Sequence, residues 1–307
     1  MRAREHLLNP RTRGLLLVGG TAVLWGTSGI TATVAYGHGV HPLTVSFWRM
    51  ASGAAVLLPL LRRRPAGTAT PTLASGGRLR LLARLLGVGL GLAAYQAGYF
   101  TAVHRAGVSV ATLVTLGLAP VLVTVAERVR TRRRTRRTTA VAVVLAVVGL
   151  AALVGLPAHA GPGTMSGVAF AAASAAGYAG LTLAGGDLSA RLGSPRLTSW
   201  TFALSALLLL PLTAAVAGLS LGREPAVLAA MLYLGLVPTA LAYRMFFAGL
   251  EQVPASAAAV LALLEPIVAT GLALGLLGER LTPIGWGGGA LLVTAVILVT
   301  RRSGAPP

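Results

Sequence analysis

Apolar residues in this chain come in long blocks rather than in stripes. The blocks run 14–35, 43–61, 85–103, 106–126, 138–158, 164–186, 197–217, 225–248, 254–276 and 281–300. Each is near the roughly 20 residues that a helix needs to cross a hydrocarbon core of about 30 Å. None carries the polar face that a soluble amphipathic helix would need. Lipid offers no water to unpaired backbone groups, so segments of this kind must be helical. The pattern predicts an all-α transmembrane fold of ten helices. These blocks cover most of the chain, leaving no room for a separate soluble domain.

The charges between the blocks support the count. The chain has 26 basic residues, all Arg, against 7 acidic ones, for a net charge of +19. Arg2, Arg4, Arg11 and Arg13 precede the first block. Arg62–Arg64, Arg78, Arg80 and Arg84 follow the second, and seven Arg fall between 128 and 137. Arg191 and Arg196, then Arg301 and Arg302, complete the same parity. The alternate loops hold Arg105, Arg223 and Arg280. The positive-inside rule therefore puts both termini in the cytoplasm. So distributed, the charge marks contact with anionic headgroups at the inner face rather than a nucleic-acid surface. The first block has a basic flank, but at about 22 residues it exceeds a typical signal core, so it is expected to be retained. Exclusive use of Arg, with abundant Ala and Gly, is the usage of a GC-rich bacterial genome. The expected location is a bacterial inner membrane, crossed many times.

The chain is written twice. Ala94-Tyr95-Gln96 answers to Ala242-Tyr243-Arg244, and Leu118-Ala119-Pro120-Val121 to Leu264-Glu265-Pro266-Ile267, at offsets of 146 to 148 residues. Ala126-Glu127-Arg128 answers to Gly278-Glu279-Arg280 at 152. Residues 14–156 and 164–301 are thus read as two five-helix units between a basic tail, 1–13, and a short tail, 302–307. Five is odd, so the second unit must enter the membrane inverted. Inverted repeats suit alternating access, because two similar halves can exchange conformations around a central site.

Several motifs resemble the drug/metabolite transporter superfamily in its EamA-type, ten-helix form. They are Trp25-Gly26, Arg49 after Phe47-Trp48, Glu265-Pro266 and Gly278-Glu279-Arg280-Leu281-Thr282. The first unit departs from this pattern, with Ala119 where the second has Glu265. The resemblance implies a secondary transporter of a small organic metabolite or drug-like solute, often an exporter. It does not fix the substrate.

Ionisable groups inside spans are costly and are functional candidates by default. Glu265 lies midway along the ninth span, and a carboxyl able to change charge there suits proton exchange. Pro266 has no N–H, so the carbonyl of Ala262 is expected to lose its partner and the helix to kink. Arg49, in the second span, has three possible partners: Glu265, an anionic substrate group, or the outer headgroups. With Pro120, these form the coupling or gating set. Tyr95 and Tyr99 share a helix face, with Gln96 beside them. They make the first candidate substrate site, joined by Trp25, Thr112 and Tyr178. Arg244, near the end of its span, is expected to snorkel to the interface. Asp187 and Arg191 are expected to be solvated.

Other chemistry is not expected. There is no Cys, hence no disulfide or thiolate site. Gly26-Thr27-Ser28-Gly29 resembles an intramembrane serine nucleophile, but no His stands at its depth to act as base. His38 and His41 lack a third metal ligand. No nucleotide-binding motif or cofactor site is present. The rival readings are a polytopic membrane enzyme and a non-transporting scaffold.

Overall fold

The computed structural model describes residues 9–62, 75–132, 134–155, 164–276 and 280–301. Expectations resting on Glu279, His6, His159 or the two tails lie outside them. Among the described residues every regular element is helical. The helices are α1 (Pro10–Gly37), α2 (Pro42–Arg62), α3 (Ser75–Thr131), α4 (Arg137–Val154), α5 (Thr164–Leu192), α6 (Ser194–Val216), α7 (Pro225–Gly235), α8 (Ala242–Leu250), α9 (Ala255–Leu261), α10 (Leu264–Leu276) and α11 (Pro283–Arg301). A π-helical turn, Leu236–Leu241, joins α7 to α8. Eight helical stretches among the described residues are long and apolar enough to cross a membrane.

Straight, the 57-residue α3 would reach roughly 85 Å, far beyond a hydrocarbon core. It is not straight. Gly107 has φ 83° and ψ 164°, outside the helical region. The Tyr99 hydroxyl lies 3.0 Å from Thr112 Oγ1, although thirteen positions along an unbroken helix would separate them by about 20 Å. The chain therefore doubles back at Gly107, where a residue without Cβ takes positive φ at no steric cost. The third and fourth apolar blocks are two arms joined by a tight turn rather than by a loop.

The bundle is apolar outside and selectively polar inside. Leu79, Leu82, Leu86 and Leu90 project from one face of α3 and are exposed, while Ser46, Gln96, Thr115, Ser174 and Ser205 are buried. Buried hydroxyls join the helices. Thr21 donates to the Ala242 carbonyl at 3.0 Å, Ser174 to that of Tyr95 at 2.7 Å, and Ser205 to that of Gly89 at 2.8 Å. Bonds of this kind between membrane helices contribute about 0.6 kcal/mol each. Helix α2 packs on α6, α4 on α11, α1 on α8 and α10, and α3 on α5. In the last pair the backbones meet at glycines. A Cβ on Gly91 would stand 2.9 Å from the Gly177 carbonyl oxygen, and one on Gly177 would stand 2.5 Å from that of Gly91.

Candidate functional site

The middle of the bundle is aromatic. Trp25 of α1 packs on Tyr243 and Phe246 of α8, with ring centroids 4.9 and 5.2 Å apart. It meets Tyr178 of α5 edge-on at 6.4 Å. Tyr178 in turn meets Tyr95 of α3 at 5.5 Å, and Phe202 of α6 closes on Tyr243 at 5.3 Å. Five helices from both halves of the chain thus converge on one cluster. Each ring brings a large apolar body and, for Trp and Tyr, a polar tip that needs a partner.

Two of those tips have none. Trp25 Nε1 and the Tyr178 hydroxyl are buried without a hydrogen bond. The Thr182 hydroxyl donates to the Tyr178 carbonyl at 2.7 Å. Buried polar atoms are seldom left this way. Gln96 Oε1 accepts from Ser46 Oγ at 3.2 Å, and the Gln96 side chain lies beside Tyr243. Tyr99 and Thr112 bond each other across the Gly107 turn, as described above.

Glu265 faces this cluster from α10. Its carboxylate is within electrostatic reach of Tyr95, Tyr99, Tyr178 and Tyr243, and of Arg49 on α2. Trp25, Gln96, Tyr178 and Tyr243 are buried. Glu265, Arg49, Tyr95 and Tyr99 are only half-buried, so in the interior of the bundle they keep surface that no protein atom covers. Arg49 and Glu265 form no ion pair within 4 Å; among the described residues that contact is made only by Arg130 and Asp187. Arg49 instead donates through Nε to Thr239 Oγ1 at 3.1 Å, inside the π-helical turn.

The helix bearing Glu265 is broken, though not as the proline alone suggests. The Ala262 carbonyl is not left free. It accepts from the Glu265 amide at 3.0 Å, three residues on, while the Leu263 amide reaches Val260 at 3.1 Å. Tightened bonds of this kind end α9 at Leu261 and restart the helix at Leu264. The break is pressed against α1: a Cβ on Gly26 would fall 2.7 Å from Val268 Cβ and 2.9 Å from the Glu265 carbonyl oxygen. Pro266 and Pro120 are both buried, but α3 runs through Pro120 without interruption.

Other expectations divide. Arg244 is exposed on the bundle surface, away from the aromatic cluster. Asp187 is not merely solvated, because it pairs with Arg130 at the Arg-rich end. That pair borders a cleft of about 350 Å³ which also holds Glu127 and Glu251. His38 is exposed, and its Nδ1 engages the Val34 carbonyl at 2.8 Å, while His41 Nδ1 accepts from the Leu43 amide at 3.1 Å. Among the described residues no group of three metal-binding side chains assembles. Thr239, Tyr243 and Phe246 were missed as members of the site. Pro238, a proline inside an apolar span, was the available signal for the first of them.

The sequence profile of the EamA-like transporter family matches the chain twice, over residues 12–155 and 165–301. The chain belongs to the EamA-like transporter family. An "Uncharacterized transporter YwfM" from Bacillus subtilis (strain 168) is 34% identical over 210 residues, which cover 68% of this chain and 70% of that protein. A crystal structure described only as that of a protein superposes with a TM-score of 0.79 and 21% identity, covering 96% of this chain and all of that one. At that identity the likeness concerns the fold. This EamA-like protein is therefore a multi-pass membrane transporter. Its family consists of transporters rather than enzymes, and its working partners are a lipid bilayer and a small-molecule substrate.

Proposed function

We propose that this EamA-like protein is a secondary transporter that moves a small organic solute outward across a bacterial inner membrane by alternating access. Its ten spans form two inverted five-helix repeats, 14–156 and 164–301, with both termini in the cytoplasm. The double match of the family profile supports the two units. So does the packing. An inverted exchange of halves maps α1 against α8 onto α5 against α3, and leaves α2 against α6 and α4 against α11 in place. Thr21 on α1 and Ser174 on α5, which bond α8 and α3, are counterparts under that exchange.

The observation that carries the reading is the shared site. Glu265 and Arg49, opposite in charge, face one aromatic cluster without closing on each other, and Trp25 and Tyr178 leave a donor unmet there. In this scheme Trp25, Tyr95, Gln96, Tyr99, Thr112 and Tyr178 bind substrate. Glu265 and Arg49 couple binding to charge movement, and Pro266 and Pro120 mark the bending points. Uptake and efflux in sealed vesicles against a metabolite panel, with and without a pH gradient, tests it. Solute movement that depends on the gradient is expected; none with any solute would reject it. The chain has no native Cys, so single cysteines report topology directly. Positions 134 and 280 should label from opposite faces, and labelling from one face would reject the inverted arrangement.

A further inference from the structure

The π-helical turn Leu236–Leu241 is the one irregular stretch of that kind among the described residues, and it lies beside the site. Such turns insert one extra residue and re-aim a side chain, and they occur often at functional positions. Here Pro238 supplies no N–H, and the residue re-aimed is Thr239. Its side chain is fully buried and accepts from Arg49 Nε at 3.1 Å. The turn is fixed from the α2 side. A Cβ on Gly53 would meet Phe202 at 2.8 Å and Thr239 Cγ2 at 3.3 Å, and one on Gly235 would meet Ser52 Oγ at 2.1 Å. Arg49, Ser52 and Gly53 of α2 therefore fit the π turn as one surface. Arg49 lies within electrostatic reach of Tyr36, Tyr243 and Glu265. Opposite charges in a low-dielectric interior attract strongly, yet no ion pair forms.

We propose that Thr239 is a positioning residue: it tethers the Arg49 guanidinium short of the Glu265 carboxylate and so keeps the two charges apart for a ligand to enter between them. The role assigned to the ligand rests on the function proposed above. The tether itself does not, and it is measured without transport. Thr239→Val removes the acceptor and keeps the branched shape, so Arg49 is released to close on Glu265.

The experiment uses the full chain, purified in detergent, with Tyr36→Cys as its sole cysteine. Tyr36 is 37% exposed and lies within electrostatic reach of Arg49. The probes are a sulfonate-bearing and a trimethylammonium-bearing methanethiosulfonate, and the readout is the ratio of their modification rates. With Thr239 intact the anionic reagent is expected to be favoured roughly tenfold over its ratio at a free thiol. Arg49→Gln should abolish that preference. Thr239→Val should bring it to within about twofold of the Arg49→Gln level, and Thr239→Ser, which restores the hydroxyl, should recover it. If Thr239→Val does not accumulate as folded protein, Thr239→Ala reads the same ratio. An unchanged preference in Thr239→Val or Thr239→Ala beside its loss in Arg49→Gln overturns the proposal. A preference indifferent to Arg49→Gln overturns it too, because Arg49 would then not occupy this position. Failure of the proposed transport would leave these ratios unaffected, so the two ideas fail separately.

Discussion

The fourth and ninth apolar blocks share a Leu-x-Pro motif, Leu118–Pro120 and Leu264–Pro266, yet fold differently around it. One carries Ala119-Pro120 and runs unbroken from Gly107 to Thr131. The other carries Glu265-Pro266 and is interrupted between Leu261 and Leu264. Both prolines are buried and both withhold one N–H, so proline alone does not produce the break. What differs is the neighbour one residue before it and what lies opposite. Ala119 is 2% exposed in an apolar wall. Glu265 faces the aromatic cluster, and Gly26 lets α1 reach its backbone. One segment is a continuous strut; the other is a broken helix that, in the proposed function, serves as a binding element. A duplicated membrane protein can divide labour in this way without changing its fold.

The strongest way to break that comparison is to exchange the acid. Glu265→Gln should lower vesicle transport more than tenfold at near-normal abundance, because an intramembrane carboxyl is retained for function rather than packing. Adding Ala119→Glu should not restore it; recovery would mean that the two copies are interchangeable. Next comes the close approach at the break. Gly26→Val should destabilise the bundle by about 1–3 kcal/mol through overpacking, seen as a lower melting temperature in detergent. Gly29→Ala, with nothing within 4 Å of its Cβ, should be silent, and equal effects would remove the argument from contact. A smaller difference separates the prolines. Pro266→Ala should change the transport rate more than Pro120→Ala does, by roughly threefold to tenfold, since only the former sits at an existing break. The smallest effect concerns the flanks of the two tyrosine motifs. Gln96→Ala should alter apparent substrate affinity more than Arg244→Gln, because Gln96 is buried at the site and Arg244 is exposed. A larger effect at Arg244 would move the site toward the end of α8.

Much of this architecture was legible from residue order. Block length and the absence of polar faces located the helical stretches, because the cost of an unpaired backbone group in lipid leaves few alternatives, but not all their ends: α3 starts at Ser75 rather than 85 and α5 runs to Leu192 rather than 186. Glu265 stood out for the same reason: an acid in an apolar block is a large, local anomaly. The partners of these groups were not legible. Whether Arg49 meets Glu265 or Thr239 depends on where α2 crosses the π turn, and that crossing is set by small residues such as Ser52, Gly53 and Gly235, which carry no chemical signal of their own. The fate of the Ala262 carbonyl was missed for a related reason. Proline removes a donor from a known place, but the backbone can shift its bonds by one residue and satisfy the acceptor from the next amide.

Under the proposed alternating access, the glycine contact between α3 and α5 bears on speed rather than on affinity. Where side chains interdigitate, two helices can roll past each other only if those side chains leave their rotamers, and each such step adds to the activation barrier. At Gly91 and Gly177 there is nothing to unseat. Elsewhere in the same joint the Ser174 hydroxyl and the Tyr95–Tyr178 ring pair do bridge the two helices, so a methyl group placed on Gly91 is expected to slow any sliding of α3 past α5 while leaving those contacts in place.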